Sequence, residues 1–318
     1  MRIAVMGAGA VGCYFGGRLA SAGEDVVFIA RGGQLQALRE RGLQLIESGR
    51  TNTLYPVAVT PDPAQAGPVD CILLCVKLFD TETALRACGP MLQPGTGVIT
   101  LQNGIDAVAM VGDSIGVDRA IGGAVYVVAS LLEPGVVLRS GDWARIEIAE
   151  PSGAVSVRAK SFARACVRAG VECVVREDLE RMLWSKFVLL SATSATTALT
   201  RQPIGYVRGD SVGLEFARRC IRETLAVASA QGIDLPEDLE ATAMRQLCEE
   251  MPDDAKASQL VDLEHGKPLE LDYLSGAIHR LGAAHGVPTP VHSTVYAALR
   301  PFLRGSRGRA KLMRHDAG

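Results

Sequence analysis

Lys186 is a charged residue in an otherwise apolar stretch, and this setting gives it a candidate chemistry. Small and apolar residues follow it, among them Val188, Leu190 and Ala192. A lysine on such a helix is costly to bury without a role or a partner. Because desolvation lowers its pKa, it can transfer a proton near neutral pH. From the residues alone two interpretations stay open: proton transfer, or a lysine at a helix start that extends its ammonium to water.

The segment 256–272 contains the second group of candidate residues. A polar stretch leads to Gly-Lys-Pro at 266–268, which breaks a helix. Glu270 and Asp272 then precede a new helix, where acidic residues suit the N-terminus. Asp272 fits that structural role, whereas Glu270 is a candidate partner for a buried lysine. We interpret His265 as a surface histidine.

Gly7, Gly9 and Gly12 have G-x-G-x-x-G spacing directly after the apolar run 3–6, which predicts a buried parallel strand. Gly7 permits a tight turn, Gly9 lets a pyrophosphate approach the backbone, and Gly12 lets the next helix lie close to the strand. The N–H groups at the start of that helix would face an anion. The alternative is an ordinary strand-to-helix turn. The predicted dinucleotide-binding residues are Gly7, Ala8, Gly9, Ala10, Val11 and Gly12.

Three further candidates follow predicted strands. The strand 25–30 ends in Arg31 instead of a carboxylate, and a guanidinium matches a phosphate in charge and shape, which favours NADP(H) over NAD(H). Lys77 and Asn103 each follow an apolar strand of the same sheet. Ligands bind beyond the carboxyl ends of strands in open α/β sheets, so we expect both near the cofactor or substrate. The alternatives are a surface arginine, a surface lysine and a turn asparagine.

The elements that must position these residues divide the chain into two parts. Strand and helix signals alternate in the first part, at 25–30, 34–41, 43–46, 55–59, 70–76, 81–88, 97–102, 123–128, 136–138, 145–148, 156–169 and 171–175. Beyond Asp178 only helices are predicted, at 178–199, 213–231, 236–250, 273–285 and 291–303. The sequence therefore predicts an α/β protein: an N-terminal Rossmann-type doubly wound sheet over 1–177, and an all-helical C-terminal domain over 178–303.

Length and charge agree with this division and narrow the choice of partners. A chain of 318 residues favours two domains. A net charge of −2 argues against nucleic-acid partners and against binding to anionic membranes. The segment 304–318 is basic and lacks apolar periodicity, so we expect a frayed, disordered tail. A homodimer is left open.

The eight cysteines indicate the compartment. No pair forms C-x-x-C, and no histidine stands at zinc-ligand spacing, so no metal site is expected. We interpret them as reduced structural thiols in a cytoplasmic protein. No apolar run reaches the roughly 18 residues that span a bilayer.

Taken together and in order, these features resemble the ketopantoate reductase family (2-dehydropantoate 2-reductases). The resemblance rests on the glycine turn, Arg31, Val76-Lys77, Gln102-Asn103-Gly104, Leu183-Trp184-x-Lys186, Ser258 with Asp262, Pro268-Leu269-Glu270-Leu271-Asp272 and the run 281–290. It spans most of the chain. It implies reduction of a 2-oxo acid, ketopantoate, to a 2-hydroxy acid, with NADPH as the cofactor.

The resemblance also implies roles for individual residues. Lys186 would protonate the oxygen of the ketone as hydride reaches its carbon. Glu270 would bind substrate hydroxyls or steady Lys186, and Ser258 would contact the substrate carboxylate. Asn103 and Lys77 would help place cofactor and substrate.

One departure from the family pattern concerns the substrate. Members that make pantoate typically have asparagines four and eight residues after the lysine, where this chain has Leu190 and Ser194. Leu190 cannot bond a hydroxyl, and a hydroxyl left unpaired costs about 1–3 kcal/mol. Ser194 stays a candidate substrate contact. A reductase of another 2-oxo acid is therefore the close alternative. A protein that senses NADPH without turnover is a second one, although Lys186 and Glu270 weigh against it.

Overall fold

The structure, a computed structural model, describes residues 1–306, apart from the side chains of Asp142 and Trp143. The chain divides into two compact units, Met1–Leu183 and the residues from Trp184 on. The predicted boundary at 177/178 lies just before the helix that contains this division. The predicted basic tail lies outside the described residues from position 307 on.

Strands and helices alternate through the first unit. Its elements begin with β1 (Arg2–Met6), α1 (Ala10–Ser21), β2 (Asp25–Ile29), α2 (Gly32–Arg41), β3 (Leu43–Glu47), β4 (Arg50–Leu54), β5 (Ala58–Thr60), α3 (Pro63–Ala66), β6 (Cys71–Leu74) and α4 (Thr81–Ala87). They continue with β7 (Gly97–Thr100), α5 (Ala107–Ile115), β8 (Ala120–Glu133), β9 (Val136–Ala149), α6 (Val157–Arg168) and β10 (Glu172–Arg176).

These strands form one sheet in the order β4-β3-β9-β8-β7-β6-β1-β2-β5, with β10 also beside β9. From β8 to β5 all neighbours are parallel. Met6, Leu74 and Thr100 are level across β1, β6 and β7. The segments that follow these three strands therefore leave the sheet at one edge.

Alternate residues of each central strand face opposite sides of the sheet. Val5 packs with Phe15 and Phe162 on the side of α1 and α6. Ala4 packs with Leu85 and Val111 on the side of α4 and α5. Because both faces are covered by helices, the central strands are continuously apolar. The predicted doubly wound α/β fold is confirmed.

Two details of the strand prediction are wrong. Instead of three short strands over 123–148, the chain forms two 14-residue antiparallel strands, β8 and β9. Within this segment the chain reverses only at Pro134-Gly135. The register between β8 and β9 shifts between Tyr126 and Val128, and this shift leaves extra residues of β9 near Gly141. The predicted strand 55–59 is observed only as the short β5 over Ala58–Thr60, while β4 ends at Leu54.

The second unit is helical throughout its described part, as predicted. Its helices are α7 (Leu179–Thr200), whose first turn belongs to the first unit, α8 (Ile204–Gly209), α9 (Ser211–Ala230), α10 (Leu239–Arg245), α11 (Ser258–Glu264), α12 (Ser275–His285) and α13 (Pro290–Leu299). Val188, Ala192 and Ala195 of α7 share a core with Leu263 and Val295. Within residues 1–306, no helix is long and apolar enough to cross a membrane.

Candidate active site

The three glycines after β1 differ in what surrounds them. Gly7 has a φ of +106°, and a Cβ there would lie 2.7 Å from the Val76 amide nitrogen. A Cβ on Gly12 would lie 2.2 Å from the Gly7 carbonyl oxygen, whereas one on Gly9 would meet nothing within 4 Å. Gly7 therefore allows the turn, Gly12 the close packing of α1, and Gly9 leaves open space beside the backbone.

The N-terminus of α1 faces this open space without a side-chain cap. Gly9 is the N-cap residue, no side chain bonds the first turn, and that turn contains no acidic residue. The N–H groups of Ala10 and Val11 and the positive end of the helix dipole are thus suited to an anion.

A cavity of about 260 Å³, here called the glycine cavity, adjoins this turn. It is lined by Met6, Gly7, Ala8, Ile29, Ala30, Arg31, Gln34, Val76, Asp80, Thr83 and Ala84. Arg31 is exposed, and its guanidinium makes no ion pair with any other residue in the range 1–306. Gln34, which the sequence did not single out, accepts a hydrogen bond from the Gly135 amide at 3.0 Å.

Lys77 and Asn103 follow β6 and β7 at the same edge of the sheet, and both are partly buried. They do not line the glycine cavity. Between them, the buried Gln102 side-chain amide donates to the Val76 carbonyl at 2.8 Å and to Thr81 Oγ1 at 2.7 Å. Gln102 thereby ties together the segments that present Lys77 and Asn103. Two sequence signals pointed to Gln102: its place at the end of an apolar strand, and the Gln102-Asn103-Gly104 motif.

Lys186 and Glu270 come together in the second unit. Lys186 is partly buried on α7. In the sequence it lies between Trp184 and Phe187, whose side chains are buried. Burial lowers the pKa of Lys186 to about 8, and the negative charge of Glu270 acts in the opposite direction. Glu270 is itself only 7% exposed, at the start of a 3-10 turn over Leu271–Tyr273. Lys186 is thus a partly buried ammonium beside a buried carboxylate, and it can lose its proton near neutral pH.

The helix beyond Lys186 presents few free hydrogen-bond donors. Leu190 is partly buried and Ser194 is fully buried. The Ser194 hydroxyl has no hydrogen-bond partner among the described residues. The hydroxyls of Thr193 and Thr197 donate to the Leu189 and Thr193 carbonyls at 2.9 and 2.7 Å. Both hydroxyls are buried, and their protons are used within the helix.

The predicted contact Ser258 is exposed at the first position of α11. Its neighbour Gln259 is buried, and neither polar atom of its side chain finds a partner within the described chain. No sequence signal distinguishes Gln259 from the polar residues around it. Among residues 1–306, no cluster of His, Cys, Asp or Glu could hold a metal ion.

Family models match both halves of the chain. The model described as ketopantoate reductase PanE/ApbA matches residues 3–153, and that of its C-terminal part matches residues 178–302. Fold and site define the class: an oxidoreductase with a nicotinamide cofactor, built from a dinucleotide-binding sheet and a helical unit. The chain belongs to the ketopantoate reductase family.

Individual relatives match nearly end to end. The 2-dehydropantoate 2-reductase of Mesorhizobium japonicum is 31% identical, over 94% of this chain and 97% of that protein. The crystal structure of a PanE/ApbA family ketopantoate reductase from Ralstonia eutropha is 33% identical, with a TM-score of 0.87, over 95% of this chain and 98% of that one. A D-mandelate dehydrogenase with NADH and anilino(oxo)acetate is 22% identical, with a TM-score of 0.88 over 95% and 98% of the two chains, and shares the fold.

Proposed function

We propose that this protein reduces 2-dehydropantoate (ketopantoate) to (R)-pantoate with NADPH, in pantothenate and coenzyme A biosynthesis, and that Lys186 is the general acid. The observation that carries the proposal is the Lys186–Glu270 pair, in which burial brings the lysine pKa to about 8. An acid is most effective when its pKa lies near the working pH. Family membership supplies the reaction class.

The first unit would hold the cofactor. Backbone N–H groups at the start of α1 suit the pyrophosphate, and the open space beside Gly9 admits it. Arg31, exposed at the cavity wall, suits the 2′-phosphate. Lys77 and Asn103, at the neighbouring strand ends, would position the nicotinamide and the substrate. The bound cofactor supplies the hydride for the ketone carbon.

The second unit would supply the proton. The Lys186 ammonium donates a hydrogen bond to the ketone oxygen, stabilises the negative charge that develops there, and then transfers its proton to it. The Glu270 carboxylate keeps Lys186 protonated and accepts a hydrogen bond from a substrate hydroxyl. Ser258 would bind the substrate carboxylate, and Ser194 is the remaining polar residue at the two positions where the family has asparagine.

A second candidate function is the reduction of another 2-oxo acid. It is favoured by Leu190, which offers no hydrogen bond, and by the complete burial of Ser194. Both candidates share the cofactor, Lys186 and Glu270, so they differ only in the group that the α7 face contacts.

The test is NADPH oxidation with ketopantoate and with 3,3-dimethyl-2-oxobutanoate, which has the same carbon skeleton without the hydroxyl. We expect kcat/KM to be at least about tenfold higher for ketopantoate, because a buried partner left unpaired costs about 1–3 kcal/mol. Equal values for the two acids would favour the second candidate. Tight NADPH binding without turnover of these two acids or of any other 2-oxo acid in a panel would contradict both reductase functions.

The cofactor assignment has its own control. Arg31→Ala should raise KM for NADPH by about tenfold or more and leave KM for NADH unchanged, since only NADPH has the 2′-phosphate. Arg39→Ala, an exposed arginine of α2, should leave both constants unchanged. An unchanged KM for NADPH in Arg31→Ala would remove the phosphate contact.

We also infer a cytoplasmic location. All eight cysteines are free thiols and most are buried. This usage suits a reducing compartment.

A further inference from the structure

The glycine cavity contains a carboxylate that neither the fold nor the proposed reaction uses. Asp80 is the last residue of the 3-10 turn Leu78–Asp80, which continues directly into α4, and its backbone is helical. Its side chain accepts no hydrogen bond from the first turn of α4. It is exposed and lines the cavity instead. Its acceptor oxygens are therefore available to a ligand in the cavity.

Thr83 lies three residues further on and lines the same cavity. Residues three apart are neighbours on a helix surface. The Thr83 hydroxyl oxygen accepts a hydrogen bond from the Arg86 guanidinium at 3.2 Å. Its own proton can therefore be donated to a ligand. The cavity thus presents a hydrogen-bond acceptor, Asp80, beside a donor, Thr83.

The remaining wall at this side is apolar. Ile29, Ala30, Val76 and Ala84 line the cavity with the two polar residues. Apolar walls with a few placed polar groups suit a flat heterocycle that is held by its edge. An acceptor beside a donor matches the Watson–Crick edge of adenine, whose 6-amino group donates and whose N1 accepts.

We propose that Asp80 and Thr83 read the adenine base of the dinucleotide and select a 6-amino purine over a 6-oxo purine. This inference rests on the proposed function, which places the dinucleotide in the glycine cavity. In hypoxanthine both edge positions are reversed, since O6 accepts and N1–H donates. The Asp80 carboxylate would then face an acceptor, and the Thr83 hydroxyl a donor.

A different contact for Asp80, the ribose 2′-hydroxyl, makes the opposite prediction for cofactor choice. A carboxylate on the ribose would favour NADH, whereas Arg31 lines the same cavity at the end of β2 and suits a 2′-phosphate. Asp80 lies on the segment after β6, which is why we assign it to the base.

The experiment measures dissociation constants. Reduced dinucleotides are titrated into the full-length protein, and their fluorescence reports binding. The probes are NADPH, NADH and the 6-oxo analogue of NADPH, reduced nicotinamide hypoxanthine dinucleotide phosphate. The wild type should bind NADPH at least about tenfold more tightly than the analogue. In Asp80→Asn the ratio should fall to within about threefold, since the amide can donate to O6. Thr83→Val should give an intermediate ratio.

Asp113→Asn is the matched control, because Asp113 is an exposed aspartate of α5 that does not line the cavity. It should keep the wild-type ratio. Equal affinity of the wild type for NADPH and its analogue, or an unchanged ratio in Asp80→Asn, would overturn the inference alone. Loss of NADH binding in Asp80→Asn with an unchanged base ratio would assign Asp80 to the ribose instead. A protein that binds none of the three probes would contradict the proposed function, and the inference with it.

Discussion

Two opposing effects act on the pKa of Lys186, and their balance determines how far the side chain is protonated. Burial disfavours the ammonium, whereas the Glu270 carboxylate stabilises it, with a resulting pKa of about 8. At pH 7 such a group is about nine-tenths protonated, yet it holds its proton far less tightly than an exposed lysine. Glu270 thus has a predicted effect on catalysis through Lys186, in addition to any contact with substrate.

Glu270→Gln should shift the alkaline limb of the pH profile to lower pH. The general acid must be protonated, so kcat/KM is full below the Lys186 pKa and falls about tenfold per pH unit above it. Removal of the Glu270 charge lowers that pKa further. Initial rates of NADPH oxidation with ketopantoate between pH 6 and 10 measure the limb. Glu264→Gln, an exposed carboxylate that pairs with Lys256, should keep the wild-type limb. A limb that stays in place or moves up in Glu270→Gln would contradict the pairing.

The sequence identified residues whose type is unusual for their place. Lys186 stands out on an apolar helix, and Arg31 stands where a carboxylate was expected. Gln34 and Asp80 did not stand out, and Gln102 entered only as part of the Gln102-Asn103-Gly104 motif, because their roles depend on contacts made only in the folded chain. Gln102 bonds groups 26 and 21 residues away. No local pattern contains that information.

At the scale of elements, two glycines of the turn after β1 have different roles: Gly12 allows α1 to pack closely, and Gly9 leaves space for a ligand. A Cβ on Gly12 would overlap the Gly7 carbonyl, and one on Gly9 would enter open space. The two positions therefore predict different defects.

Gly12→Ala should destabilise the fold by about 1–3 kcal/mol or more, since α1 must move away from β1. Gly9→Ala should cost at most about 1 kcal/mol, the ordinary loss at an N-cap, but should weaken NADPH binding by about tenfold or more because its methyl group occupies the space beside the helix start. Urea unfolding and NADPH titration measure the two effects. Equal stability of the two variants, or unchanged NADPH affinity in Gly9→Ala, would contradict these roles.

The strand prediction shows where local signals are insufficient. Ser-Gly-Asp at 140–142 has the composition of a turn, yet β9 continues through it. Pairing with β8 determines the conformation of this segment. β9 pairs with β8 on both sides of a register shift, and the extra residues form an irregularity within the strand. In contrast, Pro134-Gly135 does reverse the chain, with Gly135 at a φ of +84°. Periodicity predicted the other central strands because both faces of each are buried.

At the scale of the whole molecule, a buried polar network joins four helices of the second unit. His292 of α13 is fully buried; its Nε2 donates to the Cys220 carbonyl at 3.1 Å, and its Nδ1 accepts from Ser275 of α12 at 3.1 Å. Thr224 of α9 contacts His292 Nε2 at 3.2 Å and Ser191 of α7 at 2.9 Å. Burial lowers the pKa of His292 to about 4.

Because the pKa of His292 is lowered in the folded protein, we expect the free energy of unfolding to decrease in acid. Its folded pKa lies below the unfolded value of about 6.5, so the unfolded chain takes up the proton first. The contribution of neutral His292 to the free energy of unfolding is complete above about pH 6.5. Up to about 3 kcal/mol of it is lost as the pH falls toward about 4. Free energies of unfolding from urea titrations measure this slope.

His292→Gln should flatten the slope between pH 6.5 and 4, although it lowers stability at all pH values. His285→Gln, at an exposed histidine of α12, should keep the wild-type slope. A slope in His292→Gln as steep as in the wild type would show that other groups cause the acid sensitivity.

The overall architecture was predictable because the pattern of the chain changes once. Strands and helices alternate up to Asp178, and helices alone follow. The predicted fold class and family are confirmed over both halves. The substrate was not predictable, since Leu190 and Ser194 depart from the family pattern and burial of Ser194 emerged only in the fold.

Each unit carries one part of the proposed chemistry: the first the cofactor residues, the second the proton donor. Lys186→Ala should separate the two. We expect kcat for ketopantoate reduction to fall by about 10²–10⁴-fold, while the dissociation constant for NADPH stays within about twofold of the wild type. Lys256→Ala, an exposed lysine of the same unit, should keep wild-type turnover. Turnover in Lys186→Ala close to that of the wild type would contradict the account.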